Sequence, residues 1–326
     1  MRDHWYPLCD ASALSTDAPH AATLLGDPLV LFRDAAGAPA CTEDRCAHRS
    51  APLSLGRVEG GRIECPYHGW QYDRAGRCAR IPSLAAGAAA PDGACVRAYP
   101  CVERAGLIWV WPGDAQRADD DAGAALGDLD GWCVVRGSLD LDVDHGLVIE
   151  NLLDLAHAPF AHEGTLASRD EACGLDVAIS QGARGVRGVF RRAEDGCVSA
   201  QSVSFEAPCA VRFDLEAGPD EGRITQVHHA VPLARGRTRW MWRVARDWLR
   251  DVPALDAVLA GRAAAVVDQD ARLLRAQQSR IDQGAPAWGC AVPADAAALA
   301  YRAWRARHER ADTWFAGFAA RGVSGR

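Results

Sequence analysis

Cys46-Ala47-His48-Arg49-Ser50-Ala51-Pro52-Leu53 and Cys65-Pro66-Tyr67-His68-Gly69-Trp70 are the two segments whose reading decides the fold at the N-terminal end of this 326-residue chain. Together they spell Cys-x-His, sixteen intervening residues, then Cys-x-x-His. Each segment offers one thiolate and one imidazole. Two thiolates can hold one iron of a [2Fe–2S] pair while two imidazoles hold the other. The neutral nitrogen donors lower the negative charge of the cluster and raise its reduction potential. A structural Cys2His2 zinc site is the alternative use of such a set. Zinc fingers usually pair Cys with Cys and His with His along the chain, whereas each knuckle here carries one of each. The iron–sulfur reading is therefore preferred.

Working outward, residues 1–112 read as short strands separated by turns. Val30-Leu31-Phe32 precedes a turn around Gly37, and Leu107-Ile108-Trp109-Val110-Trp111 runs into Pro112-Gly113. Few helical periods interrupt them, so a small antiparallel β-domain presenting two metal loops is expected. Residues 113–131 include Asp119-Asp120-Asp121 with several Gly and Ala, and read as an acidic, solvated connector. Residues 132–326 differ in kind. An alternating stretch over 132–145 predicts a strand, 146–158 carries a helical apolar period, and strands follow around 186–191, 203–206, 211–215, 224–232 and 238–245. Helices are expected over 254–278 and 294–319. A sheet flanked by a few long helices makes the second part an α+β domain.

Composition narrows the class further. The chain is 49% hydrophobic and 24% charged, with a formal net charge of −7, which argues against a general nucleic-acid binder. Ten of the twelve cysteines lie outside the motif and are scattered singly, unlike a disulfide framework, so reduced thiols in a cytoplasmic protein are expected. The N-terminal residues show no secretory pattern. No apolar run approaches the roughly eighteen residues of a membrane span.

A second constellation lies at Asn151-Leu152-Leu153-Asp154-Leu155-Ala156-His157-Ala158-Pro159-Phe160-Ala161-His162. Two histidines five apart do not share a face of a regular helix at about 3.6 residues per turn. If both bind one metal, the helix must end or widen near Pro159 to re-aim His162. Two His and one carboxylate with open positions form the facial triad of non-haem Fe(II) sites. The third ligand must come from elsewhere, and Asp270 on the first C-terminal helix is the best candidate. Asp268, two residues away, points from a different face, so one of the two is expected to reach the metal. Taken alone, two histidines near a helix end are commonly ordinary surface or core groups, and a helix aspartate is commonly solvated. The cluster motif shifts the balance, because a one-electron carrier needs an acceptor. On the strand Ile224–Pro232, His228 and His229 point to opposite faces. Trp240 and Trp242 share a face and are read as core rather than pocket. Asn151 could hydrogen-bond a water or substrate near the metal, or simply cap the helix.

With these residues in view, the whole chain resembles the Rieske non-haem iron oxygenases, catalytic-subunit type. The resemblance runs from Trp5-Tyr6 to the C-terminal helix and is strongest for the vanillate O-demethylase, dicamba monooxygenase and methylxanthine N-demethylase branch. Residues 151–162 have that branch's Asn-Leu-x-Asp-Leu-x-His-x-x-x-x-His form and lack the Gly-Asp-x-Tyr-His of the ring-hydroxylating dioxygenases. The surroundings of Asp270 fit a Glu-Asp pattern with Gln277 seven residues on, but Gln269 replaces the usual Glu and Arg275 stands where an acid is common. The resemblance implies an all-β Rieske domain with its [2Fe–2S] cluster on Cys46, His48, Cys65 and His68. It implies a helix-grip catalytic domain with Fe(II) on His157, His162 and Asp270, and a substrate contact at His228. It further implies a head-to-tail homotrimer in which Asp154 bridges His157 to His68 of a neighbouring subunit. Electrons derived from NAD(P)H would arrive through a separate reductase, with or without a ferredoxin, since no Gly-x-Gly-x-x-Gly follows a strand and no flavin-sized domain is present. The implied activity is O2-dependent hydroxylation or oxidative demethylation of a small aromatic, heterocyclic or natural-product molecule. A ring-hydroxylating dioxygenase and a non-enzymatic redox or ligand-binding module are the alternatives.

Overall fold

The structure, a computed structural model, describes residues 1–85, 88–127, 129–194, 197–216 and 222–308. It separates into two compact units, the first spanning residues 1–124 and the second beginning at residue 125.

The first unit is built from eleven short strands: β1 (Tyr6–Asp10), β2 (His20–Leu24), β3 (Asp27–Arg33), β4 (Pro39–Glu43), β5 (Arg57–Glu59), β6 (Arg62–Glu64), β7 (Gln71–Tyr72), β8 (Cys78–Arg80), β9 (Ala98–Tyr99), β10 (Cys101–Arg104) and β11 (Leu107–Val110). They pair antiparallel in three sheets, ordered β1-β11-β10, β2-β3-β4-β9 and β5-β6-β7-β8. The apolar run Leu29-Val30-Leu31-Phe32 of β3 is buried on both faces, which explains why it does not alternate. Val30 and Phe32 pack in one core with Leu53, Ile63 and Tyr72, and Cys46 and Cys65 belong to that same core. The stretch read as a solvated connector is pinned at its start. The Trp5 indole donates to the Asp119 carbonyl at 2.8 Å, Arg104 donates to that of Ala122 at 2.9 Å, and Ala122 is buried.

The second unit carries β12 (Cys133–Leu141), β13 (Leu175–Gly182), β14 (Gly185–Glu194), β15 (Cys197–Glu206), β16 (Ala210–Glu216), β17 (Arg223–Ala234) and β18 (Arg237–Arg246). These form one antiparallel seven-stranded sheet in the order β12-β18-β17-β16-β15-β14-β13. Among the described residues four α-helices accompany it: α1 (His145–Leu152), α2 (Ala158–Ala161), α3 (Pro253–Asp282) and α4 (Ala296–His308). The α+β expectation is met. Residues 309–319 of the last expected helix lie outside the described residues. Alanine-rich composition suits both long helices. On α4 small side chains also permit close approach, since a Cβ on Gly188 of β14 would meet the Ala297 Cβ at 3.1 Å. Tyr301 and Trp304 of α4 meet Phe205 of β15 edge-to-face, at ring-centroid distances of 4.7 and 4.9 Å. These packed aromatics fix α4, which in turn holds α1 through Arg305 on Asp144 (2.6 Å) and Arg302 on Glu150 (2.9 Å).

Candidate active site

In the first unit the two motif segments are loops of one geometry. Cys46 N–H donates to the Ala51 carbonyl (2.8 Å) and Ser50 N–H to the Cys46 carbonyl (2.9 Å). The second loop repeats the pattern: Cys65 N–H to Trp70 (2.8 Å) and Gly69 N–H to Cys65 (3.0 Å). Ser50 and Gly69 hold the equivalent left-handed position, with φ of 57° and 69°. The thiols of Cys46 and Cys65 are buried and within hydrogen-bonding reach of each other, while the rings of His48 and His68 are exposed, 4.7 Å apart. Soft donors inside and imidazoles at the edge suit a mixed-ligand cluster, so the donor set fits the group. His48 stacks on Trp70 at 4.8 Å, which fixes its ring plane. The Tyr72 oxygen accepts from Ala47 N–H at 3.1 Å, so its own hydrogen is free for the Cys46 sulfur 3.2 Å away. Sequence reading passed over this tyrosine. Its sole signal was placement seven residues past the second cysteine, on the strand leaving the loop.

In the second unit the histidine motif folds differently from expectation. α1 stops at Leu152, well before Pro159. Asp154 ends it by accepting the Ala156 N–H at 2.8 Å, an Asx-type turn. His157 then stands at the N-cap of α2, and Pro159 sits in the first turn, where its missing N–H needs no partner. Proline therefore opens the second helix and does not break the first. The loop at residues 153–157 re-aims the histidines.

The result is a tight cluster. His157 Nε2 and His162 Nε2 are 3.2 Å apart, and the Asp270 oxygens lie 3.5 and 3.3 Å from them. All three side chains offer ligand atoms within 4.8 Å of one another, and Asp270 is only 4% exposed. Asp268 is exposed, so α3 presents Asp270 and not its neighbour to the histidines. Burial alone would raise the Asp270 carboxyl, but His157 and His162 outweigh it and hold it at about 2. Burial likewise opposes charge on His157, yet Asp154 and Asp270 raise it to about 9. Two imidazoles and a carboxylate aimed at one point in this way suit a cation between them.

The supporting shell is equally specific. Gln269 Oε1 lies 2.9 Å from His162 Nδ1 and accepts the Thr165 hydroxyl at 3.0 Å. That contact leaves His162 Nε2 free to face the metal position. Asn151 donates to Asp270 at 3.3 Å. Asp154 Oδ2 is 3.7 Å from His157 Nδ1, an ion-pair distance too long for a hydrogen bond. Gln269 entered the sequence reading only as a departure from the branch pattern, and Thr165 had no signal at all.

Beside the cluster opens a cavity of about 350 Å³, lined by Leu155, Leu175, Phe190, Phe213 and Val267 together with Asn151, Gln226, His228 and Trp240. Trp240, expected in the core, is buried but also lines this cavity, and its indole donates to His228 Nδ1 at 3.0 Å. Burial pulls His228 down to about 4, so the ring is neutral at physiological pH.

Residues 4–100 match the Rieske [2Fe-2S] domain, and residues 141–311 match the vanillate O-demethylase oxygenase C-terminal domain. Chlorophyllide a oxygenase of Chlamydomonas reinhardtii is 35% identical over 321 residues, covering 94% of this chain and 48% of that relative. The chain thus spans about half the length of that curated protein. Among solved structures, dicamba monooxygenase bound to dicamba superposes with a TM-score of 0.81 at 27% identity, covering 94% of this chain and 96% of that one. NdmA of Pseudomonas putida CBB5 with caffeine gives 0.81 at 27%, covering 96% and 94%. Matched at both domains and along nearly its whole length, the chain belongs to the Rieske non-haem iron oxygenases, whose cofactors are a Rieske [2Fe–2S] cluster and a mononuclear iron.

Proposed function

We propose that the protein is the oxygenase component of a monooxygenase system that hydroxylates or oxidatively demethylates a small ring-containing substrate. The observation that carries this reading is the convergence of His157, His162 and Asp270 at the side of an apolar cavity, in a chain that also holds a Cys-x-His/Cys-x-x-His cluster motif. Cys46, His48, Cys65 and His68 would hold the cluster, and His157, His162 and Asp270 the iron. When bound, these groups deliver electrons and activate O2: one oxygen atom enters a substrate C–H bond and the other leaves as water, with two electrons and two protons consumed. Where the attacked carbon is an O- or N-methyl, the hydroxymethyl product collapses to formaldehyde.

The chain's own residues supply orientation and dryness. Gln269 sets the tautomer of His162, Asn151 steadies Asp270, and apolar walls from Phe190, Phe213 and Leu155 keep water from the reacting carbon. Asp154 positions His157 and, in a head-to-tail homotrimer, would also meet His68 of the next subunit. Its carboxylate is partly exposed, which keeps it open to such a partner. Electrons would come from NAD(P)H through a separate reductase, directly or by way of a ferredoxin. Buried thiols such as Cys41 and Cys209 suit a reducing compartment, and we place the protein in the cytoplasm. No helix among the described residues is long and apolar enough to cross a membrane.

The test is the iron and acid-labile sulfide content of anaerobically purified protein. About three irons with about two sulfides per chain is the expected result. About two irons, unchanged after incubation with Fe(II), would make the protein an electron carrier and sink the oxygenase reading.

A further inference from the structure

The chain contains no lysine, so all 36 of its basic residues are arginine, and none of these is among the described residues lining the cavity. The formal charges that do line it are negative: Asp270, Asp154 and Glu171. Asp270 and Asp154 together would balance the charge of a divalent ion held by His157, His162 and Asp270, and Glu171 leaves the balance negative. With a metal bound, His157 and His162 would hold it as neutral imidazoles, and the remaining polar groups on the wall are uncharged. Gln201, Gln226 and Asn151 are carboxamides. His228 is held neutral by geometry, because the Trp240 indole can only donate and it donates to Nδ1. The remaining hydrogen of His228 therefore sits on Nε2, which faces Gln226 Oε1 at 3.4 Å. That contact occupies Oε1 of Gln226, so the amide's donor group is the one it can offer a ligand. Asn151 complements it: Nδ2 is engaged by Asp270, while Oδ1 is buried without a partner.

An aryl carboxylate or sulfonate entering this space would lose its hydration and find no guanidinium among the described lining residues to replace it. Burying an unpaired anion is far less favourable than burying an amide that meets donors and acceptors of its own kind. At about 350 Å³ the cavity lies at the small end of ligand sites and suits one or two rings. We propose that the substrate is an uncharged, mostly apolar ring compound with amide- or carbonyl-like polar groups, and that the site discriminates against anionic aromatic acids. This deepens the preceding reading and rests on the cavity being the substrate site.

The experiment uses protein loaded with cluster and Fe(II), kept anaerobic and without reductant, and measures binding by calorimetry. The probes are two pairs that differ in charge at nearly constant shape: 4-methoxybenzamide against 4-methoxybenzoate, and toluene-4-sulfonamide against toluene-4-sulfonate. The neutral member should bind at least tenfold more tightly in both pairs. A Gln226→Arg variant, its fold checked by cluster absorbance, should raise the affinity of the anions at least tenfold by supplying the missing cation. Equal or tighter binding of either anion by the unaltered protein overturns the proposal, as does failure of both neutral probes to bind at millimolar concentration. Binding is read without O2 or electrons, so an inactive enzyme would not affect it. Conversely, demethylation of 4-methoxybenzoate with binding tighter than the amide would uphold the oxygenase reading and sink this one.

Discussion

The cluster loops and the His157–His162–Asp270 site are built from similar donors by opposite means. The loops take all four donors from two adjacent turns and leave both imidazoles at the surface. The second site joins a short motif after α1 to a helix more than a hundred residues later, as the 107-residue separation of His162 and Gln269 shows, and buries His162 and Asp270 almost completely. The contrast follows from the task. A group that passes electrons to another molecule needs an accessible edge, whereas one that works on a bound substrate needs a dry wall and open positions. Local donors also make a site that assembles with its own small domain. Distant donors make one that depends on the docking of long helices.

The strongest way to break the comparison is to remove one donor from each site. Asp270→Ala should lose the mononuclear iron and all turnover while the visible spectrum of the cluster stays intact. Cys65→Ser should lose the cluster spectrum while the three-donor site still binds one Fe(II) per chain. Metal analysis beside the absorbance spectrum reads both. Loss of both metals in either variant would show that the two sites are not independent.

A smaller change should sharpen the comparison at the supporting residues. Asp154→Asn keeps shape but loses the charge beside His157, and Gln269→Leu removes the acceptor for His162 Nδ1–H. Loss of such outer partners typically costs about 10- to 100-fold in activity or metal affinity. For Asp154→Asn the loss should appear in the rate of cluster reoxidation by the iron, measured by stopped flow, with both metals retained. For Gln269→Leu it should appear in Fe(II) affinity. Unchanged reoxidation in the first variant would remove Asp154 from the path between the centres.

How much of this was legible follows the same divide. The cluster motif could be read directly because ligand spacing and loop geometry coincide in sequence. His157 and His162 were legible as a pair, but the place where the helix ends was not. Asx capping by Asp154 overrode the more visible proline. Asp270 could not be separated from Asp268 by spacing on a helix alone, since only the burial of one face decides between them. Trp240 looked like core because an alternating strand reports which residues share a face, not whether that face meets a cavity. β13 was missed because its outward positions are polar and its run is weakly apolar, so it owes its place to pairing with β14.

The second site should also be the one whose integrity depends on a distant ion pair. Asp144 caps α1, accepting Gly146 N–H at 2.8 Å and meeting Arg305 of α4 at 2.6 Å. Burial opposes its charge, but His145, Arg305 and the capping N–H together hold the carboxyl at about 2. A carboxyl depressed below its ordinary value stabilises the fold above the unfolded-state pKa near 4, and loses that contribution as pH falls through about 2. The depression corresponds to about 2 kcal/mol at neutral pH. Asp144→Ala should lower stability at pH 7 by about that amount in denaturant titrations, with much less difference from the parent near pH 2. An equal loss at both pH values would mean the cap acts through shape and not charge.

The smallest effect tests the comparison within the first site, between two loops of one backbone shape. Ser50 and Gly69 share the left-handed position, yet their surroundings differ. A Cβ at Gly69 would meet Pro82 Cγ at 3.1 Å, whereas Ser50 is exposed and already carries a side chain. Gly69→Ala adds both the left-handed penalty and a tight contact, and should destabilise the protein by about 1–2 kcal/mol. Ser50→Gly relieves a left-handed residue but loosens the unfolded chain, so its net effect should stay within about 0.5 kcal/mol, with an unaltered cluster spectrum. Thermal unfolding of the two variants decides. If Ser50→Gly proves the costlier change, the hydroxyl at position 50 does more than fill a permitted conformation, and the two loops are equivalent in backbone alone.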